Sequence, residues 1–221
     1  VETGVQPRYV VCNAGEDEPG SVKDRVVLEN RPHLVLEGMI LVAYAIGAER
    51  AYLYLNETYE KCHDRMSAAI SEAKAASFVG EKVCGTEFSI EVSICKAPTT
   101  YVAGEDSASL EFLEGREAKP REKPPYPAVS GLFGKPTIVN NVETLAHVPP
   151  ILRKGAAWYR SFGVKSSPGT MIFSLGKEVN APGAYELPIG TTARYLLEEC
   201  GGGLRGDVPV RAFQPGGPSC A

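Results

Sequence analysis

Three consecutive carboxylates are the side chains in this sequence best suited to hold a ligand. Glu16, Asp17 and Glu18 follow a short apolar run at 9–11, and Pro19-Gly20 comes directly after them. An apolar run that meets such a turn is typical of a buried strand ending in a loop. Acids at a buried strand end cost free energy unless they are solvated, paired or hold a ligand. This acidic turn is therefore the leading candidate for a ligand site.

A second acidic turn precedes a predicted helix that runs to Leu113. It contains Gly104, Glu105 and Asp106. Free backbone N–H groups at the start of a helix can hold an anion such as a phosphate. Two acids at a helix start also stabilise the helix without any ligand, because their negative charges interact favourably with the helix dipole. This segment by itself therefore leaves a binding role and a purely structural role open.

Amides and a cation follow further along the chain. Asn140-Asn141 lies at a predicted helix start, where capping explains one asparagine and a polar ligand would explain the pair. Before it, residues 116–136 are rich in Pro and Lys, which predicts a long extended loop over the surface. Such a loop is usually functional, and Lys123 with Tyr126 gives it a cation and an aromatic ring. An ordinary solvated loop is the alternative.

Alternating strands and helices must position these residues. Strands are predicted at 9–12, 51–55 and 88–95. A helix that is apolar nearly all round is predicted at 32–46, and an amphipathic helix follows the second strand. This order implies right-handed crossovers and a parallel, doubly wound α/β sheet. Ligands of such sheets bind outside the carboxyl ends of the strands, which is where the first acidic turn lies.

The pattern changes in the last quarter of the chain. We place a boundary there, so that residues 1–165 form the α/β domain and residues 166–221 form a second domain. The predicted elements of the second domain are strands at 170–175 and 183–187, a short helix capped by Thr191 or Thr192, and a strand at 210–213. This order resembles a β-grasp, ubiquitin-like module.

The composition is that of an ordinary globular protein. The chain has 221 residues, 43% of them hydrophobic, and a formal net charge of −4, so nothing favours nucleic-acid binding. No apolar run reaches the roughly 20 residues of a membrane span, which predicts no direct insertion. The six cysteines include no C-x-x-C pair, so buried thiols in a reducing cytosol are expected rather than a metal site. Val1 and the ending Cys220-Ala221 predict a fragment.

Three phrases, in this order, resemble a known family. They are CNAGEDEPGSVKDR at 12–25, YVAGEDSASLEFLEG at 101–115 and KPPYPAVSGLFGKPTIVNNVET at 123–144. They are similar to the NADH-binding flavoprotein subunit of respiratory complex I, whose module also occurs in NAD-linked formate dehydrogenases and NAD(P)-reducing hydrogenases. The resemblance covers nearly the whole chain. It implies a Rossmann-like domain that holds FMN and accepts hydride from NADH, followed by a β-grasp (SLBB-like) domain.

The resemblance also implies which residues touch the cofactor and the dinucleotide. The implied FMN contacts are amides, a glycine, an acid and an aromatic that lines the cavity: Asn13, Tyr101, Gly104, Glu105, Asn140 and Asn141. The implied NADH contacts are two acids with a lysine nearby: Glu18, Asp106 and Lys123. Hydride transfer needs no general acid or nucleophile, so no catalytic side chain is expected. Acids suit ribose hydroxyls and repel a 2′-phosphate, which favours NADH over NADPH.

The sequence departs from the family pattern at three positions. Gly15 stands where the family's N-A-D-E motif has Asp, which removes a carboxylate expected near the flavin. Glu16 or Asp17 would have to compensate, and Glu16 is included among the cofactor-binding candidates. Asp106 is shorter than the family's Glu, and Ala103 replaces a usual Cys.

Electron input to complex I is the preferred hypothesis. The implied partners are NADH, a thioredoxin-like [2Fe–2S] subunit and a large Fe–S subunit, with the protein peripheral on the cytoplasmic face of the membrane. The family's Gly-rich loop and its [4Fe–4S] ligands are expected outside this chain. The alternatives are the flavoprotein (diaphorase) subunit of a soluble NAD(P)-linked hydrogenase or formate dehydrogenase, a non-catalytic relative that Gly15 suggests, and a plain α/β binding domain.

Overall fold

The structure is a computed structural model that describes residues 4–206 and 208–217. The chain divides into two compact units. The first contains Val1–Asp17 and Val27–Pro149, and the second contains Glu18–Val26 and Pro150–Ala221. Glu18, the last acid of the first acidic turn, thus belongs with the short segment after it to the unit formed by the end of the chain.

A four-stranded parallel sheet lies at the centre of the first unit. Its strands are β1 (Tyr9–Ala14), β2 (Arg50–Asn56), β3 (Glu91–Ala97) and β4 (Thr137–Asn141). The strand order is β3-β2-β1-β4, and every neighbouring pair is parallel. The predicted parallel α/β sheet is confirmed, and so are its three predicted strands, although the third begins at Glu91 rather than at residue 88.

Helices connect the strands and cover the sheet. In chain order they are α1 (Lys23–Asn30), α2 (Pro32–Ile46), α3 (Glu60–Ala75), α4 (Asp106–Leu113), α5 (Pro127–Ser130), α6 (Val142–Lys154) and α7 (Ala156–Arg160). Short 3₁₀ turns lie at Val83–Gly85, Tyr101–Gly104 and Leu132–Gly134. Helix α2 spans the residues predicted for it, with Pro in its first turn and Gly47 after its end. Helix α1 was not predicted.

The paired asparagines lie at a junction between two elements. They end strand β4, and helix α6 begins directly afterwards at Val142. The sequence did not predict this strand, although the β-branched run 137–139 favours extended backbone. Because β4 is parallel to β1, both amides lie at the carboxyl edge of the sheet, beside the end of β1.

The core of the first unit lies against the sheet. Val10, Val11 and Cys12 of β1 are fully buried, as expected for a central parallel strand. On one face, Tyr54 of β2 and Leu110 of α4 belong to a buried apolar cluster. Helix α2 contacts β1 and β2, and α3 contacts β3. This packing fixes the strand ends from which the acidic turn and the asparagines project.

The second unit contains small antiparallel pairs. Its strands are β5 (Gly163–Val164), β6 (Ser167–Pro168), β7 (Thr170–Leu175) and β8 (Gly183–Pro188), paired β5–β6 and β7–β8. Helix α8 (Ala193–Tyr195) leads into a π-helical turn at Leu196–Cys200. The side chain of Thr192 caps α8 by accepting a hydrogen bond from the backbone N–H of Tyr195, as predicted. The two strands predicted at 170–175 and 183–187 are confirmed.

The strand predicted at 210–213 is wrong. Residues 208–217 contain no strand in the structure. Val210 and Phe213 are about half exposed, so their alternation with polar neighbours has no buried face to support a strand.

The helices and cysteines offer neither a membrane span nor a metal site in the part of the chain that the structure describes. Within residues 4–206 and 208–217, no helix is long and apolar enough to cross a membrane. The cysteines in these ranges form no disulfide with one another, and no group of three or more His, Cys, Asp or Glu side chains there could hold a metal ion. Cys220 lies outside the described residues.

Candidate functional site

The end of β1 is joined to the second acidic turn by a side-chain amide. The Nδ2 atom of Asn13 donates a hydrogen bond to the carbonyl oxygen of Gly104 at 2.9 Å. Its Oδ1 atom accepts one from the backbone N–H of Gly15 at 3.1 Å. Asn13 therefore holds two turns together that are far apart in the sequence, and each of its polar atoms keeps capacity for one further hydrogen bond.

Two glycines let these turns approach backbone to backbone. A Cβ atom at Gly104 would lie 2.6 Å from the carbonyl oxygen of Gly15. A Cβ atom at Gly15 would lie 3.2 Å from Cε1 of Tyr54 and 3.3 Å from Cα of Gly104. No side chain fits at Gly104 without moving the backbone, and one at Gly15 would be tightly enclosed. The result is a cradle of bare backbone at the carboxyl end of the sheet.

The asparagines of β4 lie beside this cradle. Asn140 pairs with Cys12 and Asn141 with Asn13 in the parallel register. The Nδ2 atom of Asn141 lies 3.4 Å from the carbonyl oxygen of Asn13, and its Oδ1 atom caps α6 by accepting from Glu143 N–H at 3.0 Å. The structure thus brings Asn13, Asn141 and Gly104 together at the carboxyl end of the sheet. That they share a ligand site stays a prediction.

Lys123 bridges the two acids of the second turn. Its Nζ atom lies 2.7 Å from Glu105 Oε1 and 2.5 Å from Asp106 Oδ1. Hydrogen bonds to Asp106 and then to Glu105 raise the pKa of Lys123. Glu105 also caps α4, because its Oε2 atom accepts from Ala108 N–H at 2.9 Å. Burial acts to raise the pKa of Glu105, but the hydrogen bonds that it accepts outweigh this and hold the pKa at about 2.

Arg121 attaches the Pro-rich loop that carries Lys123 to helix α4. Its guanidinium contacts the carboxylates of Glu111 and Glu114, with Nη2 at 2.7 Å from Glu114 Oε1. Its Nη1 atom donates to the carbonyl oxygen of Gly131 at 2.9 Å, and its backbone N–H donates to Ser107 Oγ at 2.8 Å. Arg121, two residues before Lys123, therefore joins the loop both to helix α4 and to the backbone at Gly131.

The first acidic turn is held by strand β2 and the residues after it. Asn56 Nδ2 donates to Asp17 Oδ1 at 2.7 Å, and the Tyr59 hydroxyl donates to the carbonyl oxygen of Glu16 at 2.8 Å. Burial raises the pKa of Asp17, against the hydrogen bond from Asn56, which lowers it. The side chain of Glu16 is buried. Glu18, the next residue, belongs to the second unit.

Tyr54 is a residue of this site that the sequence did not indicate. Its hydroxyl is buried and has no hydrogen-bond partner among the described residues. The Oδ2 atom of Asp17 is also buried and has no partner among them. Burial, then the nearby Cys95 and Asp17, raises the pKa of Tyr54, so the hydroxyl keeps its proton and remains a donor. In the sequence Tyr54 is one apolar residue of a strand, so no local signal distinguishes it. Tyr101, in contrast, is 58% exposed and begins the 3₁₀ turn that ends at Gly104.

Comparison with known proteins identifies the family. Residues 1–150 match the family model described as the Nuo51 FMN-binding domain. The chain belongs to the Nuo51 FMN-binding domain family. Residues 175–221 match the SLBB domain, in agreement with the β-grasp module predicted from the sequence. The predicted family and the predicted fold class are both confirmed.

Relatives of this Nuo51-family chain are similar over nearly its whole length. It is 47% identical to a subunit of NADH-quinone oxidoreductase from Rhizobium meliloti, over 97% of this chain and 51% of that protein. It is 45% identical to a subunit of NADH-quinone oxidoreductase from Escherichia coli, over 95% of this chain and 47% of that protein. The chain therefore spans about half the length of these curated relatives.

A solved structure is also similar. An NAD⁺-reducing [NiFe]-hydrogenase in the H₂-reduced state contains a chain with a TM-score of 0.79 and 41% sequence identity. The match covers 87% of this chain and 32% of that chain.

Proposed function

We propose that this chain is part of an NADH-oxidising flavoprotein subunit of NADH–quinone oxidoreductase, with FMN held at the carboxyl end of β1 and β4. The observation that carries the proposal is the backbone approach of Gly15 and Gly104, spanned by Asn13, in a member of the Nuo51 FMN-binding domain family. Polar amides and backbone groups placed in this way suit the edge of a planar ring system.

The residues fit FMN in the chemistry of their donor set. The amides of Asn13, Asn140 and Asn141 and the backbone at Gly104 would hold the flavin and its ribityl chain, and Tyr101 would line the cavity. Bound FMN supplies the hydride acceptor, so the protein needs only to bind, orient and exclude water. Glu105 contributes indirectly, because both of its oxygens are engaged by the helix cap, Ser107 and Lys123.

The dinucleotide is assigned to the remaining charged residues. Glu18 and Asp106 would accept hydrogen bonds from ribose hydroxyls, and Lys123 would face the phosphates. The buried Glu16 would support the turn that precedes Glu18. Acids at a ribose disfavour a 2′-phosphate, so NADH is preferred to NADPH. No side chain of this chain is assigned a proton-transfer step.

The proposal extends to the surroundings of the chain. Residues 1–165 form the FMN and NADH domain and 166–221 the β-grasp domain. The [4Fe–4S] cluster belongs to the rest of the full-length protein. Electrons pass on to a thioredoxin-like [2Fe–2S] subunit and a large Fe–S subunit, on the cytoplasmic face of the membrane.

Purification of the full-length protein tests the proposal. We expect a bound flavin spectrum and NADH:ferricyanide activity that is lower with NADPH. Absence of both the flavin and the activity would overturn it in favour of a non-catalytic relative.

The similarity to an NAD⁺-reducing hydrogenase favours one second candidate, the flavoprotein subunit of a soluble hydrogenase. Isolation of the complex from its source distinguishes the two. Quinone-dependent NADH oxidation supports the first candidate, and hydrogen-dependent NAD⁺ reduction supports the second.

A further inference from the structure

The segment that carries Glu18 is built into the second unit. Glu18–Val26 belongs to the same unit as Pro150–Ala221, although it directly follows Asp17 of the first unit in the chain. The backbone N–H of Val22 donates to Ser174 Oγ of β7 at 3.2 Å, and Ser21 N–H donates to the carbonyl oxygen of Glu18 at 3.0 Å, which closes a turn. The segment that carries Glu18 is therefore attached to the second unit, which we call the β-grasp unit.

The side chain of Glu18 lies directly on the backbone of Gly217. A Cβ atom at position 217 would lie 2.1 Å from Glu18 Oε1 and 2.7 Å from its Cγ and Cδ atoms. The φ angle of Gly217 is +92°, which favours glycine. Any other residue at this position would displace the carboxylate, which is the movable end of a flexible side chain.

We propose that the β-grasp unit positions Glu18 for the dinucleotide, with Gly217 and Ser174 as the positioning residues; this rests on the proposed role of Glu18 in binding NADH. A free glutamate side chain loses rotamer entropy when it binds a ligand. Contact with the Gly217 backbone and attachment of the segment at Ser174 restrict the Glu18 side chain before the ligand binds. Less rotamer entropy is then lost on binding, which raises the affinity for NADH. The unit thereby affects substrate affinity and leaves the chemical step unchanged.

A pair of matched glycine variants tests this in the full-length protein. Gly217→Ala should raise the KM and the Kd for NADH roughly tenfold, as expected for a misplaced charged hydrogen bond, with kcat to ferricyanide and FMN content unchanged. Gly206→Ala is the control, because Gly206 has a similar φ of +81° but no atom within 4 Å of the added Cβ. It should leave the KM and the Kd for NADH unchanged.

Combination with Glu18→Gln completes the test. Glu18→Gln should raise the KM for NADH, and Gly217→Ala added to it should raise it no further, because both changes remove the same contact. Ser174→Ala, which imposes no backbone strain, should raise the KM by a smaller factor and serves if Gly217→Ala does not fold.

The outcomes separate this inference from the proposed function. If Glu18→Gln raises the KM but Gly217→Ala and Ser174→Ala do not, positioning by the β-grasp unit is overturned and NADH binding by Glu18 stands. If Gly217→Ala and Gly206→Ala raised the KM for NADH equally, backbone strain would explain the increase, and positioning by the β-grasp unit would again be overturned. An unchanged KM in Glu18→Gln would overturn the role of Glu18 itself.

Discussion

Gly15 and Gly104 meet backbone to backbone: a Cβ atom at Gly104 would lie 2.6 Å from the Gly15 carbonyl oxygen. The amide of Asn13 spans the same contact. The end of the central strand and the turn before α4 therefore have one fixed relative position, and that position defines the cradle assigned to FMN.

Gly104→Ala should destabilise the protein and weaken FMN binding. The added methyl group collides with backbone, which cannot rotate away as a side chain can, and overpacking of this kind costs roughly 1–3 kcal/mol. Urea denaturation and titration of the FMN-free protein with FMN measure the two effects. Gly183→Ala is a suitable control, because its Cβ meets Tyr185 at an ordinary 3.7 Å. Unchanged stability in Gly104→Ala would contradict the close approach.

Gly15→Asp should lower the flavin midpoint potential. A negative charge beside the flavin disfavours added electrons. The Cβ contacts of 3.2 and 3.3 Å require small shifts of the neighbours, at a cost of about 1 kcal/mol. Gly15→Ala separates the two effects, since it adds the contacts without the charge. Equal potentials in the two variants would show that a carboxylate at this position has no influence on the flavin.

Tyr54→Phe should stabilise the FMN-free protein. The Tyr54 hydroxyl is buried without a hydrogen-bond partner among the described residues, and such a group costs about 1–3 kcal/mol. Urea denaturation should therefore give a higher free energy of unfolding for this variant. Tyr52→Phe, on the same strand and only half buried, should be nearly neutral. A loss of stability in Tyr54→Phe would mean that the hydroxyl is satisfied in the folded protein.

Sequence reasoning succeeded where the signal is local. Apolar runs bounded by Gly, Pro and polar turns predicted β1 and α2. The resemblance to the flavoprotein family named Asn13, Gly104 and Asn141, which the structure brings together, and their role in one ligand site stays a prediction. The sequence did not predict contacts between residues that only the folded chain brings together. The hydrogen bond from Asn13 to Gly104 joins residues 91 positions apart. The contact of the Tyr54 ring with the Phe112 ring of α4, at a centroid distance of 6.0 Å, likewise depends on the packing of distant elements.

Acid should destabilise the protein through Glu105. Its pKa is about 2 in the folded state and 4.5 ordinarily, so its ionised form stabilises the fold above pH 4.5, and this contribution is lost as the pH falls through 2. Lys123→Met removes one of the hydrogen bonds that lower this pKa. The stabilising contribution of Glu105 should therefore be smaller in this variant, and its loss should be complete at a higher pH. Urea denaturation between pH 5 and 2.5 measures both proteins. Parallel pH profiles would contradict the coupling of Lys123 to Glu105.

Arg121→Ala should release the loop that carries Lys123, whereas Arg116→Ala should not. Both arginines contact Glu111 and Glu114, but only Arg121 also donates to Gly131 across the loop. The Arg121 side chain is 23% exposed and that of Arg116 is 54% exposed. Arg121→Ala should lower the free energy of unfolding by roughly 1–3 kcal/mol, because the carboxylates of Glu111 and Glu114 and the carbonyl of Gly131 lose a hydrogen-bond donor.

Limited proteolysis distinguishes the two arginine variants. Arg121→Ala should be cut faster within 116–130 and show a higher KM for NADH, because Lys123 loses its fixed position over Glu105 and Asp106. Arg121→Lys should be cut almost as fast as Arg121→Ala, because a single ammonium cannot reproduce the contacts that the guanidinium makes with the α4 carboxylates and with Gly131. If Arg116→Ala and Arg121→Ala were cut at the same rate, the acids of α4 alone would account for the order of the loop, and the contact with Gly131 would have no positioning role.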